Sequence, residues 1–566
     1  MPPSDISSAK GTPFFVRWLP RVLTILAVLM LINLITPEDS WLGRVLSFVF
    51  DWIVPITPVD FVSSVILFLL AAALNIRKRL AWWILLVFLA VILLLYILIV
   101  IAVYFTAPDL LAWDLASGIA VPVIVIIALL VYRRWYVAKT QPRGFLKALV
   151  VLAAGLVLTV IIVLTCQYVT GGLTMIQARQ ILAELFGVRQ NTASSWMITL
   201  FGFGSGASII LAFWTLLRSS RDAERIDIDQ ERQVREGLAD HPSDSLGYFS
   251  TRRDRSAFFA DDCVLTYRVQ AGVCLVASDP IGPPSQWASA ARAFVAYAES
   301  YGWVPAVLAA SKQGAQAYHE AGLKVLHVGD EAVLYTKDFT LSSLPEVQRA
   351  VSKLSGLGYT LRIRRQGEIP ADELAGLSRF ADEWRDGDTE RGFSMALGRF
   401  GDPADADGLV VEALFPADAG TLAETTAGLL CFVPWGRSGA SLDLMRRHPF
   451  AENGVTEFMV AGLMREAPDQ GIAEVSLNFA VFRSAFEQGK ELGAGPIKRL
   501  WRNVLLYLSR FWQLESLYRS NEKYHPTWVP RMLCYPEGSD LARIGLAVSI
   551  AEGFLTPPKI FGKGQH

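Results

Sequence analysis

The sequence predicts an α-helical membrane domain joined to an α/β domain built from two similar units. Three observations carry that expectation. Leu, Ile, Val, Ala and Trp dominate residues 14–217, whereas 218–566 has mixed globular composition. The apolar part divides into six runs of spanning length, and the later part repeats one order of strands and helices. At 566 residues the chain has room for three or four folding units. The expected boundaries are 1–217 for six spans, 218–240 for a linker helix, 241–342 for the first α/β unit and 343–566 for the second.

The apolar runs fall at roughly 14–36, 59–76, 80–105, 111–132, 146–169 and 196–217. Each is near the about 20 residues that a helix needs to cross the hydrocarbon core. Residues 41–57 carry Arg44 and Asp51 and read as an interfacial segment. The first run is long and has no small-residue cleavage site after it, so it is expected to stay as a span. Lys10 precedes the first run and Arg17 and Arg21 stand at its start, Arg77–Arg79 follow the second, Arg133, Arg134, Lys139, Arg143 and Lys147 follow the fourth, and Arg218, Arg221 and Arg225 follow the sixth. The positive-inside rule puts all of these on the cytoplasmic side, with the α/β part cytosolic. Ionisable residues are scarce within the runs, which argues against transport as the main activity.

Residues 218–240 read as a charged helix ended by Pro242. Two strands joined at Ala271-Gly272 follow within 263–282, then a helix in 286–303 and a buried strand, "VPAVLAAS". The second unit opens with Ser343-Leu-Pro-Glu346, a capping-box pattern before a helix. "YTLRIRR" is an alternating strand, "TAGLLCFVPW" and "GASLDLMRR" form a hairpin around Gly436–Gly439, "TEFMVAGLMREA" is a helix with Thr456 as its cap, and "IAEVSLNFAV" is a strand.

Five scattered cysteines and six dispersed histidines suit neither a disulfide scaffold nor a zinc site, so no metal and no cofactor is expected. The chain lacks a G-x-x-x-x-G-K-[ST] loop, the paired glycines of a dinucleotide turn, and the glycine-rich pyrophosphate loop of acetyl-CoA-dependent acyltransferases. These absences argue against a free nucleotide or coenzyme A thioester as donor.

Four ordered stretches, "ERGFSMALGRF" (390–400), "LDLMRRHPFAENGVTEFM" (442–459), "VSLNFAV" (475–481) and "NEKYHPTWVPRML" (521–533), resemble the catalytic domain of the aminoacyl-phosphatidylglycerol synthases, the multiple peptide resistance factors. The resemblance covers about 220–555 and includes membrane spans in front. It implies tandem acetyltransferase-like (GNAT) folds, the second one catalytic, in a multi-pass protein of the bacterial inner membrane. It implies transfer of an amino acid from aminoacyl-tRNA to a glycerol hydroxyl of phosphatidylglycerol. Larger members have about twice as many spans and flip their product outward; six spans depart from that pattern. No lysyl-tRNA synthetase segment is seen, so charged tRNA is expected from elsewhere. Diacylglycerol or a peptidoglycan precursor as acceptor, and a catalytically silent membrane scaffold, stay open as alternatives, as do the amino acid and a homo-oligomeric state.

An aminoacyl ester is already activated, so such an enzyme has to orient it, help deprotonate the lipid hydroxyl and stabilise an oxyanion. Residues 498–531 hold an excess of five positive charges among seven interleaved aromatics, Trp501, Tyr507, Phe511, Trp512, Tyr518, Tyr524 and Trp528. That mixture suits a single-stranded acceptor end or a lipid headgroup, and equally an aromatic core with solvated cations. Lys523 and Arg531 are candidates for phosphate or oxyanion, with ordinary ion pairs as the alternative. Arg446 suits phosphate and Asp443 the α-ammonium, unless they form a strand-end salt bridge. Glu457 suits a helix-dipole partner, an amine contact or a base. Glu390, Arg391, Ser394, Asn478, Arg502, Tyr524 and Trp528 complete the candidate substrate contacts. His448 and His525 each abut a proline and lack an obvious carboxylate orienter.

Overall fold

The computed structural model describes residues 13–36, 40–46, 61–106, 113–136, 138, 144–171, 174, 195–217, 225–241, 244–385, 392–416, 426–481 and 520–555. It divides into two compact units, 9–221 with 299–303, and 222–298 with 304–566.

In the first unit every apolar run forms a helix: α1 (Phe14–Ile35), α2 (Phe61–Asn75), α3 (Arg79–Thr106), α4 (Trp113–Val131), α5 (Gly144–Gly171) and α6 (Ser195–Leu217). Four contain segments long and apolar enough to cross a membrane, Phe14–Asn33, Arg79–Ala102, Gly144–Thr170 and Thr199–Leu216; the apolar helices Phe61–Asn75 and Ile119–Val131 are shorter. On α3, Leu94, Leu98 and Ile101 face outward while Ala81, Trp82, Leu85 and Tyr96 are buried. A helix apolar on every face suits a lipid surround. Between α5 and α6 small residues set the approach. A Cβ on Gly155 would stand 2.3 Å from Ser208 Oγ, and one on Gly204 would stand 2.3 Å from a Thr159 methyl. Thr159 and Ser208 turn their hydroxyls onto the carbonyls of Gly155 and Gly204 in their own helices, at 2.8 and 2.7 Å, so neither of these two donors is left unpaired at the contact.

The second unit is an α/β fold on one eleven-stranded sheet, ordered β1-β2-β3-β4-β11-β5-β10-β9-β8-β7-β6. In chain order it comprises α7 (Ile228–Asp240), β1 (Ser256–Ala260), β2 (Cys263–Gln270), β3 (Val273–Ala277), α8 (Trp287–Ser300), β4 (Val304–Ala310), α9 (Lys312–Glu320) and β5 (Lys324–Tyr335). Then come α10 (Pro345–Gly356), β6 (Thr360–Arg365), α11 (Ala371–Glu383), β7 (Leu409–Leu414), β8 (Thr426–Trp435), β9 (Gly439–Arg447), α12 (Val455–Glu466), β10 (Glu474–Val481), β11 (Thr527–Tyr535) and α13 (Leu541–Ala551). Each half is an antiparallel meander followed by a helix and a parallel strand: β1-β2-β3-α8-β4, then β6-β7-β8-β9-α12-β10. That recurrence is the repeat read from the sequence. The halves are also interleaved, because β11 lies antiparallel between β4 and β5, and β10 pairs with β5.

Three local expectations are corrected. The capping box at Ser343 does not form: Leu344 is the N-cap, Pro345 starts α10, and Ser343 Oγ donates to Thr340 O at 2.7 Å. Thr456 does not cap α12; Gly454, at φ +102°, takes that position, and a Cβ there would meet Ala350 at 2.9 Å. The linker helix begins at Ile228, where Asp227 and Gln230 form the capping box that fixes its start. The structure adds β1, α9 and β5 to the expected elements, and likewise α11, β7, β11 and α13. β5 carries His327, Gly329, Asp330 and Glu331, which break its apolar pattern.

Candidate functional site

The two parallel strand pairs differ at their ends. β3 and β4 pair from Val273–Ala277 to Val304–Leu308, and Ser278 N continues the ladder onto Leu308 O at 3.0 Å. Asp279 closes the far end, accepting Ser311 N at 2.9 Å and Ser311 Oγ at 2.5 Å at the start of α9. No room is left: a Cβ on Gly314 would sit 1.9 Å from Asp279 Oδ1. Burial first, then the Asp244 carboxylate, pushes Asp279 up to about 7.

β9 and β10 instead pair only from Gly439–Ser441 to Glu474–Ser476. β9 then follows β8 to Arg447, while β10 slips its register on β5 between Ser476 and Phe479. Asn478 sits in that slip at φ +67°. Its Nδ2 donates to Leu442 O at 2.7 Å, and its buried Oδ1 has no hydrogen-bond partner among the described residues. One residue along β9, at a second register shift, Asp443 Oδ1 accepts Leu397 N at 2.6 Å. Asn521 Nδ2 reaches Leu477 O at 3.4 Å. The four stretches, distant in sequence, thus meet where β9 and β10 part.

Arg531 is 2 % exposed. Its Nε donates to Glu331 Oε2 at 2.8 Å and its Nη2 to Ser245 Oγ at 2.6 Å, and it forms an ion pair with Asp244. Ser245 Oγ and Ser476 Oγ donate to the other Glu331 oxygen, and Ser441 Oγ donates to Ser245 O at 2.6 Å. Arg531 is therefore a buried tie between β11, β5, β10, β9 and residues 244–245. Sequence reasoning missed Glu331 and Asp244. The available signal was a carboxylate inside a strand, which is costly to bury unless a cation meets it.

Lys523 is placed elsewhere, in an ion pair with Glu457 in the first turn of α12. Both line an open pocket of about 490 Å³ with Glu346, Arg349 and Ser520. Lys523 Nζ lies 5.5 Å from the Tyr524 ring centre. Tyr524 is buried and its hydroxyl lacks a partner among the described residues; burial, then Glu457, pushes its pKa up. Lys523 and Arg531, both on the fourth stretch, thus serve separate ion pairs. Arg446 Nε donates to Ala381 O at 3.0 Å, so Asp443 and Arg446 hold different backbone groups. Ser394 is buried against Glu552, and Trp528 packs on the core formed under α10 and α12. Glu390, Arg391 and Arg502, with most of the basic-aromatic segment, lie outside the described residues. His448 lies among the Trp384, Phe415 and Phe450 rings, 5.3 to 5.6 Å between centres. Among the described residues no group of three His, Cys, Asp or Glu is arranged to hold a metal.

The family profile described as phosphatidylglycerol lysyltransferase, C-terminal, matches residues 235–535, and one described as the transmembrane region of lysyl-tRNA synthetase matches 14–172. The lysylphosphatidylglycerol biosynthesis bifunctional protein LysX of Mycobacterium avium (strain 104) is 41% identical over 565 residues, covering 96% of this chain and 47% of its own. That of Mycobacterium tuberculosis (strain ATCC 25618 / H37Rv) is 41% identical over 576 residues, covering 98% and 48%. The chain thus spans about half the length of the curated relatives it matches. The solved structure of L-PGS from Bacillus licheniformis matches with a TM-score of 0.51 at 18% identity, over 59% of this chain and 99% of that one, and it shares the fold.

Proposed function

The chain belongs to the phosphatidylglycerol lysyltransferase family, and from that membership we propose that it transfers an aminoacyl group from aminoacyl-tRNA to a glycerol hydroxyl of phosphatidylglycerol. The relatives named for lysylphosphatidylglycerol synthesis favour lysine as the amino acid. In this reading residues 1–217 anchor the protein in the inner membrane by six spans, the α/β part is cytoplasmic, and residues 343–566 carry catalysis on the repeat begun by 241–342. One observation carries the assignment to a site: all four stretches meet where β9 and β10 part, while the equivalent end of β3 and β4 is filled by Asp279.

The donor ester is activated by its own chemistry, so binding geometry and charge supply most of the catalysis. Asn478 Oδ1, without a partner among the described residues, suits a donor group of the substrate, the α-ammonium or the attacking hydroxyl. Lys523 and Arg349, at the rim of the open pocket, suit a phosphate. Asp443 and Arg531, both engaged in the framework, hold the site in shape.

The full chain in nanodiscs containing phosphatidylglycerol, supplied with lysyl-tRNA labelled on the amino acid, should yield labelled lipid. No labelled lipid with any of the charged tRNAs would refute the assignment. Replacing phosphatidylglycerol with diacylglycerol tests the acceptor. Labelling of cysteines introduced after α2 and α6 in sealed cells tests the inside orientation.

A further inference from the structure

Residues 392–397 belong to no helix or strand, yet charged side chains from three distant parts of the chain hold their backbone. Glu552, just past α13, takes three successive residues: Gly392 N donates to its carbonyl at 3.3 Å, Phe393 N to Oε2 at 2.6 Å and Ser394 N to Oε1 at 3.2 Å. Ser394 Oγ adds a bond to Oε1 at 2.7 Å. From the first half of the fold, Arg252 Nη1 donates to Gly392 O at 2.7 Å and to Ala396 O, and Arg255 donates to Phe393 O. The Arg255 guanidinium also lies 4.3 Å from the centre of the Phe393 ring. From β9, Asp443 accepts Leu397 N.

We propose that Glu552, Arg252 and Arg255 are positioning residues that clamp 392–397 and so set the wall of the transfer site at Leu442 and Asp443. The proposal rests on the function proposed above. Two features separate a clamp from an ordinary turn. First, a turn satisfies its backbone cheaply with its own amides and carbonyls, whereas this segment uses the buried carboxylate of Glu552, the buried guanidinium of Arg255 and the half-buried guanidinium of Arg252. Burial pushes Glu552 up and Arg255 down to about 9, so the fold holds charge in surroundings that oppose it. Arg252 is paired with Asp254 at 2.8 Å, which also takes Arg268 at 3.2 Å. Second, the clamped segment ends on the β9 turn of geometry that matters. Asp443 holds Leu397 while its neighbour Leu442 holds Asn478, so a shift of the segment moves both sides of the opening. Misplacement by about 1 Å costs about a hundredfold in rate when catalysis is by positioning.

The test uses the full chain in phosphatidylglycerol nanodiscs with lysyl-tRNA, comparing wild type with Glu552→Gln, Arg252→Lys and Ser394→Ala. The expected result is a fall in kcat of about tenfold to a hundredfold for Glu552→Gln and Arg252→Lys, with KM for lipid and tRNA within about twofold, and a smaller fall for Ser394→Ala. Amide exchange across 392–397 should quicken in the same order while the β7–β8 amides stay protected. Wild-type kcat in folded Glu552→Gln and Arg252→Lys, or unchanged exchange, would overturn the clamp. Should Glu552→Gln fail to fold, Arg252→Lys and Ser394→Ala decide by the same readings. Absence of lipid product from the wild type refutes the transfer assignment, and exchange alone then decides the clamp.

Discussion

At the scale of single residues, the fate of each cation depends on whether a carboxylate reaches it before solvent does. Arg531 is enclosed by Glu331, Asp244 and Ser245 and acts as a tie. Removing one partner from a buried pair leaves the other charge uncompensated. Glu331→Ala should therefore cost about 3 kcal/mol, at the low end of the range for buried pairs because Asp244 remains. Denaturant midpoints of the α/β part, followed by the near-ultraviolet signal, check this. Lys523 stands at an open pocket, 16 % exposed as a side chain, paired only with Glu457 among the described residues. Lys523→Ala should lower lipid transfer at least about tenfold, the size of one lost charge-assisted contact, with the melting midpoint almost unmoved. Equal rates for variant and wild type would remove Lys523 from the site.

Among elements, the helices and the hairpin follow from local pattern, and packing follows from small residues at particular places. The α5–α6 approach depends on Gly155 and Gly204, which leave no space for a side chain. Gly204→Leu should force the helices apart and lower the yield of folded protein in detergent, whereas Gly202→Leu should be tolerated, since nothing lies within 4 Å of a Cβ there. Size-exclusion profiles of the two variants compare them directly. β5 shows the opposite case. Its pattern is broken by Glu331, and it became a strand because Arg531 of β11 and Ser476 of β10 satisfy that carboxylate from both sides. The two displaced caps, at Ser343 and Thr456, are also decided by tertiary packing. Leu344 is drawn into the core under α10, which places it at the cap, and Gly454 is selected by its close approach to α10.

For the whole molecule, buried ionisable groups set how stability varies with pH. Asp279 ordinarily titrates at 3.8 and is raised to about 7 in the fold, so the folded state binds the proton more tightly. Its contribution is full below about 4 and is lost as the pH climbs through 7. Glu552 is raised too and acts in the same direction. The carboxylates held low by arginines, Glu231, Asp402, Asp405 and Glu373, lose their contribution only on acidification below the ordinary carboxylate range, so they do not mask the window from 4 to 7. The thermal midpoint of the full chain should decline from pH 5 to pH 8, and Asp279→Asn should flatten the decline. A slope unchanged by that substitution would show that Asp279 is not the group responsible.

Sequence alone determined the division into apolar helices and an α/β part, the position of every apolar helix, the hairpin at Gly436–Gly439 and the four stretches that mark the family. These are written locally, in runs, alternation and turn residues, and hydrophobic burial reads such patterns directly. Only the tertiary structure decided which strand pair stays open, that β11 crosses into the first half, that Lys523 and Arg531 part company, and that Glu331 and Glu552 matter. Each of those depends on a charge finding a partner far along the chain, from 66 residues for Lys523 and Glu457 to 200 for Arg531 and Glu331, or on how strands pair, and neither distance nor register is carried by neighbouring residues.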